Sequence, residues 1–339
     1  MSKRRLSKQQ MRRIKRRQSA QLVSAGMENR SSRPPRDYQE SPEVDVDATP
    51  SQGRVIARFR DQANIRASDG GVLRCHLRSN LDSVVVGDWA LYQVTKDGAV
   101  VTAVEERSNE LSRPGSVGEL KVLAANITQV LIVLAPKPKP YANMLDRYLV
   151  ATELLGARAI VVLNKTDMPE ARTTDVDELL EPYEPLGYSV LRTSGTQNDV
   201  EALAVKLEQQ TSILVGQSGV GKTTLLNALV ASADERTGQL SRERAKGRHT
   251  TTTARLFELE NGGSLIDSPG IREFGLQHLS QSDVEAGFRE FRSVIKPCRF
   301  RDCTHMNEPG CGFRAAIAQS AIHPSRAASF LHILESTRR

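Results

Sequence analysis

The stretch Gly216-Gln217-Ser218-Gly219-Val220-Gly221-Lys222-Thr223 has the residue types that can hold a polyphosphate. Its glycines let consecutive backbone N–H groups turn inward around anionic oxygens, at the positive end of a following helix. Lys222 offers a point charge to the β and γ oxygens, the Thr223 hydroxyl is a ligand for Mg²⁺, and Thr224, in the first helical turn, completes the expected nucleotide-binding set. A second stretch, Asn164-Lys165-Thr166-Asp167, can read a guanine. The Asp167 carboxylate can accept from N1–H and from the exocyclic amine, a donor pair that adenine lacks. The Asn164 amide is within reach of the base edge, and the Lys165 stem can cover the ring face. A wrong base would leave a buried carboxylate unpaired, which is a strong penalty. Thr193-Ser194-Gly195 sits where a backbone N–H could meet the guanine carbonyl oxygen, although it departs from the commoner Ser-Ala-Lys form.

Asp267-Ser268-Pro269-Gly270 fits D-x-x-G, with the carboxylate holding Mg²⁺ through water and the Gly270 N–H donating to a γ-phosphate. The run Thr250 to Thr253 should supply one hydroxyl and one carbonyl to Mg²⁺ in the triphosphate state; Thr251 is favoured, with Thr250 the alternative. Where many GTPases carry a water-orienting glutamine, after the D-x-x-G glycine, this chain has Ile271, which cannot do that work. His249 is the candidate in its place, since a neutral imidazole can orient water, and Arg248 is a weaker candidate for charge stabilisation. The expected catalytic set is therefore Lys222, His249 and Thr251. Farther on, Cys298, Cys303, His305 and Cys311 place four metal-ligand side chains within 14 residues. Cys₃His is a closed, structural zinc set. The spacing is not the common C-x₂-C, so unliganded cysteines remain an alternative on spacing alone.

These loops need elements to hold them. Ser212 to Val215 reads as a buried strand before the phosphate loop, and Thr224 to Val230 as the helix after it. Upstream, Val130–Leu134 and Ala159–Leu163 are buried strands, with helices at Asp146–Leu155, Val176–Leu180 and Val200–Leu207 and a strand at Tyr188–Leu191. Strands Arg255–Leu259 and Ser264–Asp267 follow, and from Leu279 the chain reads as helical. Alternating buried strands and helices predict a mostly parallel sheet covered on both faces.

Between Gly53 and Arg113 the rhythm is different, with short runs at Arg54–Phe59, Gly71–Leu77, Val84–Val94 and Ala99–Val104 divided by glycine turns. Four or five strands in so short a stretch predict a small closed barrel such as an OB-fold. Phe59, Trp89 and Tyr92 are either stacking platforms for bases or barrel filling, and Cys75 reads as core. Leu111 to Gly115 reads as a linker. The expected domains are a disordered arm and linker at 1–50, the barrel at 51–113, an α/β P-loop domain at 114–278 and a helical metal-binding domain at 279–339.

The net charge is +7, and residues 1–17 alone hold nine Lys/Arg and no acid. The basicity therefore belongs to a tail, an electrostatic footprint for polyanions. A second basic set, Arg289, Arg292, Lys296, Arg299, Arg301 and Arg314, surrounds the cysteines and suits RNA phosphates. No apolar run is long enough for a membrane span and no signal core is visible, so a cytoplasmic protein is expected.

The motif order is the informative departure: the base-reading residues Asn164–Asp167 precede the phosphate loop by roughly 50 residues instead of following it. With that order, and with the Cys298/Cys303/His305/Cys311 cluster, the chain resembles the RsgA (YjeQ) family of circularly permuted GTPases from about residue 50 to its end. The resemblance implies an N-terminal OB barrel, a central permuted GTPase domain and a C-terminal helical zinc domain. It implies GTP hydrolysed to GDP and phosphate with Mg²⁺, slowly alone and faster with the small (30S) ribosomal subunit. It further implies late maturation of that subunit, release on hydrolysis, and rRNA bound through barrel and zinc domain. A switch histidine, here His249, one structural zinc, assembly factors as further partners and a monomeric chain belong to the same expectation. Two readings of other classes stay open: a ribosome-associated GTPase of translation or stress signalling, and an RNA-binding scaffold with an inactive nucleotide site.

Overall fold

Alternating small apolar and polar residues build the first part of the chain. The computed structural model describes residues 49–337, apart from 79–80, 82, 97, 115–119, 238–253, 260–261, 268–275, 277–278 and 295–297. They form two compact units. In the first, β1 (Ser51–Arg58), β2 (Gln62–Ala67), β3 (Val72–Leu77), β4 (Trp89–Thr95) and β5 (Gly98–Val104) pair in the order β1-β2-β3-β5-β4, and β4 pairs with β1 to close the barrel. Along β1, Gly53, Val55 and Ala57 point inward while Arg54, Ile56 and Arg58 alternate with them. Val55, Ala63, Ile65, Cys75, Ala90, Tyr92 and Val101 fill the interior. Closure pairs every barrel strand on both sides, so no edge is left for another chain.

Three departures from the sequence reading have local causes. The strand Gln62–Ala67 is not among the expected runs, because only Ala63 and Ile65 of it are buried and the rest is largely polar. The run Val84–Val94 divides at Gly87-Asp88, where the fully buried Asp88 carboxylate accepts from the Val85 N–H (2.7 Å) and from Arg107 Nε (2.6 Å) and Nη2 (2.9 Å). The expected linker is instead part of β6 (Glu110–Pro114), which pairs with β7 (Leu120–Ala125) in a two-stranded sheet and gives those backbone groups partners.

The second unit alternates as expected. In chain order it has β8 (Gln129–Leu134), α1 (Ala142–Leu155), β9 (Arg158–Leu163), a 3₁₀ turn (Pro169–Arg172), α2 (Thr174–Leu180), β10 (Ser189–Arg192), α3 (Glu201–Lys206), β11 (Thr211–Val215) and α4 (Lys222–Thr237). The next strand, β12 (Arg255–Glu258), returns the chain to the first unit, where its Arg255 pairs with Ala57 of β1. After it, β13 (Ser264–Asp267) rejoins the second unit. The parallel strands run β10-β9-β8-β11-β13, with Val215 beside Ile132 and Ile213 beside Ile266. Every residue of β8 and β11 is buried, which is why Val130–Leu134 and Ile213–Val215 read as unbroken apolar runs.

The C-terminal helices α5 (Gln281–Ala286), α6 (Phe291–Val294), α7 (Gly312–Ala318) and α8 (Pro324–Thr337) belong to this same unit. Ser280 and Asp283 cap α5 reciprocally. Phe288, Phe291, Phe313 and Phe330 pack with ring centroids 4.7–5.5 Å apart. A buried charge cluster joins α8 to α1. Arg326 meets Asp146 at 2.5 Å and Glu290 at 2.7 and 2.9 Å, Tyr183 donates to Asp146 at 2.8 Å, and Phe288 lies 4.4 Å from the guanidinium. Among the described residues, no helix is long and apolar enough to cross a membrane.

Candidate functional site

The carboxyl ends of parallel strands are where an open α/β sheet can receive a ligand. Here the chain places its chemistry there. Leu163 at the end of β9 leads into Asn164–Asp167, Arg192 of β10 into Thr193–Gly195, Val215 of β11 into Gly216–Lys222, and β13 ends on Asp267.

Two glycines of the phosphate loop are required by space. At Gly216, φ is +138° and a Cβ would lie 2.2 Å from the Val133 carbonyl oxygen; at Gly221, φ is +91° and a Cβ would lie 2.5 Å from Asn164 Nδ2. The Lys222 ammonium donates to the carbonyls of Gly216 (2.7 Å) and Gln217 (2.6 Å), so it lies over the loop. Ser218, Gly219, Thr223 and Thr224 are exposed, while Val220 is buried under the loop. Burial pushes the Asp267 carboxyl above its ordinary range, and the charge of Lys222 pulls it back down. Those two groups are thus electrostatic neighbours although 45 residues separate them in sequence.

Asn164 is 2% exposed and is used at both ends of its amide. Its Nδ2 donates to the Val220 carbonyl (3.0 Å), and its Oδ1 accepts from the Gly195 N–H (3.1 Å). It therefore ties the two base-side loops to the phosphate loop, a bracing task that sequence reasoning missed. Lys165, at φ +63°, extends its ammonium to the carbonyls of Gly219 (2.6 Å) and Lys137 (3.1 Å). Its stem is thereby stretched between the base side and the phosphate side. Thr166 donates through Oγ1 to the Thr193 carbonyl at 2.9 Å. The exposed Asp167 carboxylate accepts from Ser194 Oγ at 2.6 Å. That bond holds its pKa below the ordinary carboxylate value, with Thr196 adding to the effect. Thr196 carries no motif signature, and the sequence does not single it out. The expected switch residues Arg248, His249, Thr250, Thr251, Gly270 and Ile271 lie outside the described residues, as do the basic arm at 1–17 and Lys296.

The cysteine cluster converges. His305 Nδ1 lies 3.4 Å from Cys311 Sγ, 3.6 Å from Cys298 Sγ and 3.7 Å from Cys303 Sγ, and the sulfurs of Cys298 and Cys311 are 3.9 Å apart. Metal bonds of about 2.3 Å to sulfur and about 2.0 Å to nitrogen set tetrahedral ligands about 3.5–3.8 Å apart, so these four atoms could hold a metal ion. The Gly312 N–H points at Cys298 Sγ (3.3 Å), and His305 Nε2 meets the Glu285 carboxylate at 2.9 Å. Outer partners of this kind orient a ligating imidazole. Gln281 donates to the Cys303 carbonyl at 2.8 Å. Glu285 and Gln281 both come from α5, upstream of the cluster, where no spacing rule would have found them. Cys75 stays apart in the barrel core, its thiol pushed up to about 11 by burial.

The basic set around the cluster is smaller than its sequence suggests. Arg289 is spent on Glu153 (2.6 Å) and the Gly187 carbonyl (3.0 Å), and its guanidinium covers the Tyr188 ring at 4.0 Å. Arg299, Arg301 and Arg314 are exposed. In the barrel, Tyr92 fills the core, whereas Trp89 is 39% exposed with Arg54 over its ring.

Comparison with known proteins agrees with this geometry. A family model for the RsgA GTPase matches residues 104–277, just over half of the chain. A protein of Pseudomonas aeruginosa named Small ribosomal subunit biogenesis GTPase RsgA is 45% identical over 99% of this chain and 98% of its own. One of the same name from Ectopseudomonas mendocina is 49% identical over 86% and 87%. Among solved structures, YjeQ from Thermotoga maritima aligns with a TM-score of 0.70 and 28% identity over 85% of this chain and 99% of that one. YloQ, described as a circularly permuted GTPase, aligns at 0.67 and 24% over 88% and 98%, a likeness of fold.

Proposed function

The chain belongs to the RsgA GTPase family, and from that premise we propose that it binds the small ribosomal subunit and assists its late maturation. In this reading the GTP form binds the immature subunit, and hydrolysis to GDP and phosphate releases it. Turnover is slow alone and rises on the subunit. The protein works in the cytoplasm as a monomer, beside other assembly factors, and rRNA is held through the barrel and the metal-bearing helical region. The observation that carries the reading is similarity along nearly the whole chain to relatives named for small-subunit biogenesis.

The residues take roles consistent with their positions. Asp167 reads the guanine N1–H and amine, with Thr166, Thr193 and Ser194 fixing its loop and Lys165 lying along the base. The N–H groups from Gly216 to Thr224 and the Lys222 ammonium meet the phosphates, so the ammonium must leave the loop carbonyls for the incoming oxygens. Mg²⁺ neutralises charge on the β and γ oxygens when bound; Thr223, Thr251 and Asp267 would hold it. His249 orients the attacking water and Gly270 donates to the γ-phosphate, both by the sequence argument above. Cys298, Cys303, His305 and Cys311 hold one structural zinc, whose ligands leave no open position for chemistry.

The test is GTP turnover by the purified chain with and without purified small subunits, at two salt concentrations, with ATP and large subunits as controls. Stimulation by small subunits alone, weakened by salt, is expected, and Lys222→Ala should lower turnover by about 10²- to 10³-fold. Turnover indifferent to small subunits would remove the ribosomal partner and leave the GTPase.

A further inference from the structure

Phenylalanine is an expensive residue to leave in water, and seven of the chain's phenylalanines are described. Phe288, Phe291, Phe313 and Phe330 are buried and Phe59 and Phe257 are partly so; Phe300 is the exposed one, at 41%. It lies between two cysteines of the metal-ligand set, Cys298 and Cys303, in Cys298-Arg299-Phe300-Arg301. Arg299 and Arg301 on either side are exposed as well. The Arg299 guanidinium carbon is 5.5 Å from the Phe300 ring centroid, which is cation–π range.

The loop is held in shape. The Arg299 N–H donates to the Gly310 carbonyl (3.0 Å), and the Cys303 N–H donates to the Phe300 carbonyl (3.4 Å). Across it, the Arg299 stem lies so close to Gly310 that a Cβ there would come within 3.0 Å. An aromatic ring presented on a tied backbone pays little ordering entropy when it meets a ligand. Its cationic flanks favour an anionic partner with a flat apolar face. An unpaired nucleotide has both parts, and bases stacked on Phe and Arg planes are a regular way of holding single-stranded RNA.

We propose that Phe300 is a stacking platform for one unpaired RNA base, with Arg299 and Arg301 on the adjoining phosphates. The proposal rests on the rRNA-binding reading above and names the residue and the ligand class within it. Paired RNA offers no free base face, so the site selects loops, bulges and ends.

The test uses the full chain with Phe300→Ala, Phe300→Leu and Phe300→Trp. The probes are a labelled single-stranded RNA of about a dozen nucleotides and the corresponding duplex. Bound zinc, measured in each variant, reports whether the loop remains folded. Phe300→Ala and Phe300→Leu should bind the single strand about 5- to 100-fold more weakly, with duplex binding little changed. Phe300→Trp should keep affinity, and its emission should be quenched by the single strand beyond any change shown by Trp89 in the parent chain. Equal affinity of parent and Phe300→Ala, or an unquenched Phe300→Trp, overturns the proposal and leaves small-subunit binding standing. Full affinity of Phe300→Leu for the single strand would mean an apolar contact that needs no aromatic ring, and overturns stacking too. Failure of the parent chain to bind either small subunits or RNA would remove the broader reading, and this one with it.

Discussion

Asp167 shows how little a single residue decides without its neighbours. Its carboxylate is exposed, yet the Ser194 hydroxyl at 2.6 Å keeps it ionised below the ordinary carboxylate range. The sign follows directly: with the folded pKa depressed, the acceptor is intact at neutral pH and is lost only as pH falls through that lowered value. The part of guanine affinity that Asp167 supplies should therefore be flat between about pH 5 and 8, and Ser194→Ala should move its acid limb upward. Titrating GDP binding against pH for both chains checks this. Asp167→Asn replaces an acceptor with a donor amide. It should lose at least about tenfold in GDP affinity and gain binding of xanthine nucleotides, whose C2 carbonyl accepts where guanine donates. Competition against a labelled nucleotide measures both changes. An unaltered preference for guanine would show that Asp167 does not face the base.

At the scale of elements, the β11–loop–α4 unit works because backbone passes where side chains cannot. Gly221→Ala would press a Cβ against the Asn164 amide at 2.5 Å and hold a strained φ of +91°. That substitution should therefore damage the base side as well as the phosphate side, costing about 1–3 kcal/mol of stability and most of the nucleotide affinity. Thermal unfolding with and without GDP would separate the two losses. The helix α5 has a comparable role at the other cluster, where Glu285 and Gln281 hold His305 and the Cys303 carbonyl. Cys311→Ser should remove stoichiometric zinc and loosen the loops around it, since small metal modules gain their folding free energy from the ion. Elemental analysis alongside limited proteolysis would show it. Zinc retained at full stoichiometry would place the ion elsewhere.

Across the whole molecule, the buried cluster of Arg326, Asp146, Glu290 and Tyr183 makes the C-terminal helix part of the same compact unit as the parallel sheet. Arg326→Met would leave two buried carboxylates without their cation, costing about 3–5 kcal/mol, or about 6–20 °C in Tm for a unit of this size. Arg326→Lys should rescue little, because one ammonium cannot fork to both acids. Calorimetry of the two variants decides it. Local residue pattern was enough to announce the strand, glycine turn and helix of the GTPase family, the Cys/His set, the parallel sheet and the permuted order, because backbone turns, metal ligation and burial on both sheet faces each demand particular residue types at short range. It was not enough for β2, whose polar residues hide two buried ones, or for β6, which looks like a linker until β7 pairs with it. Nor could it reveal that Asn164 braces two loops, that Arg289 is occupied by Glu153, or that Glu285 stands behind His305. Those are contacts between residues far apart in the chain, and only the packed fold brings such partners within hydrogen-bond distance.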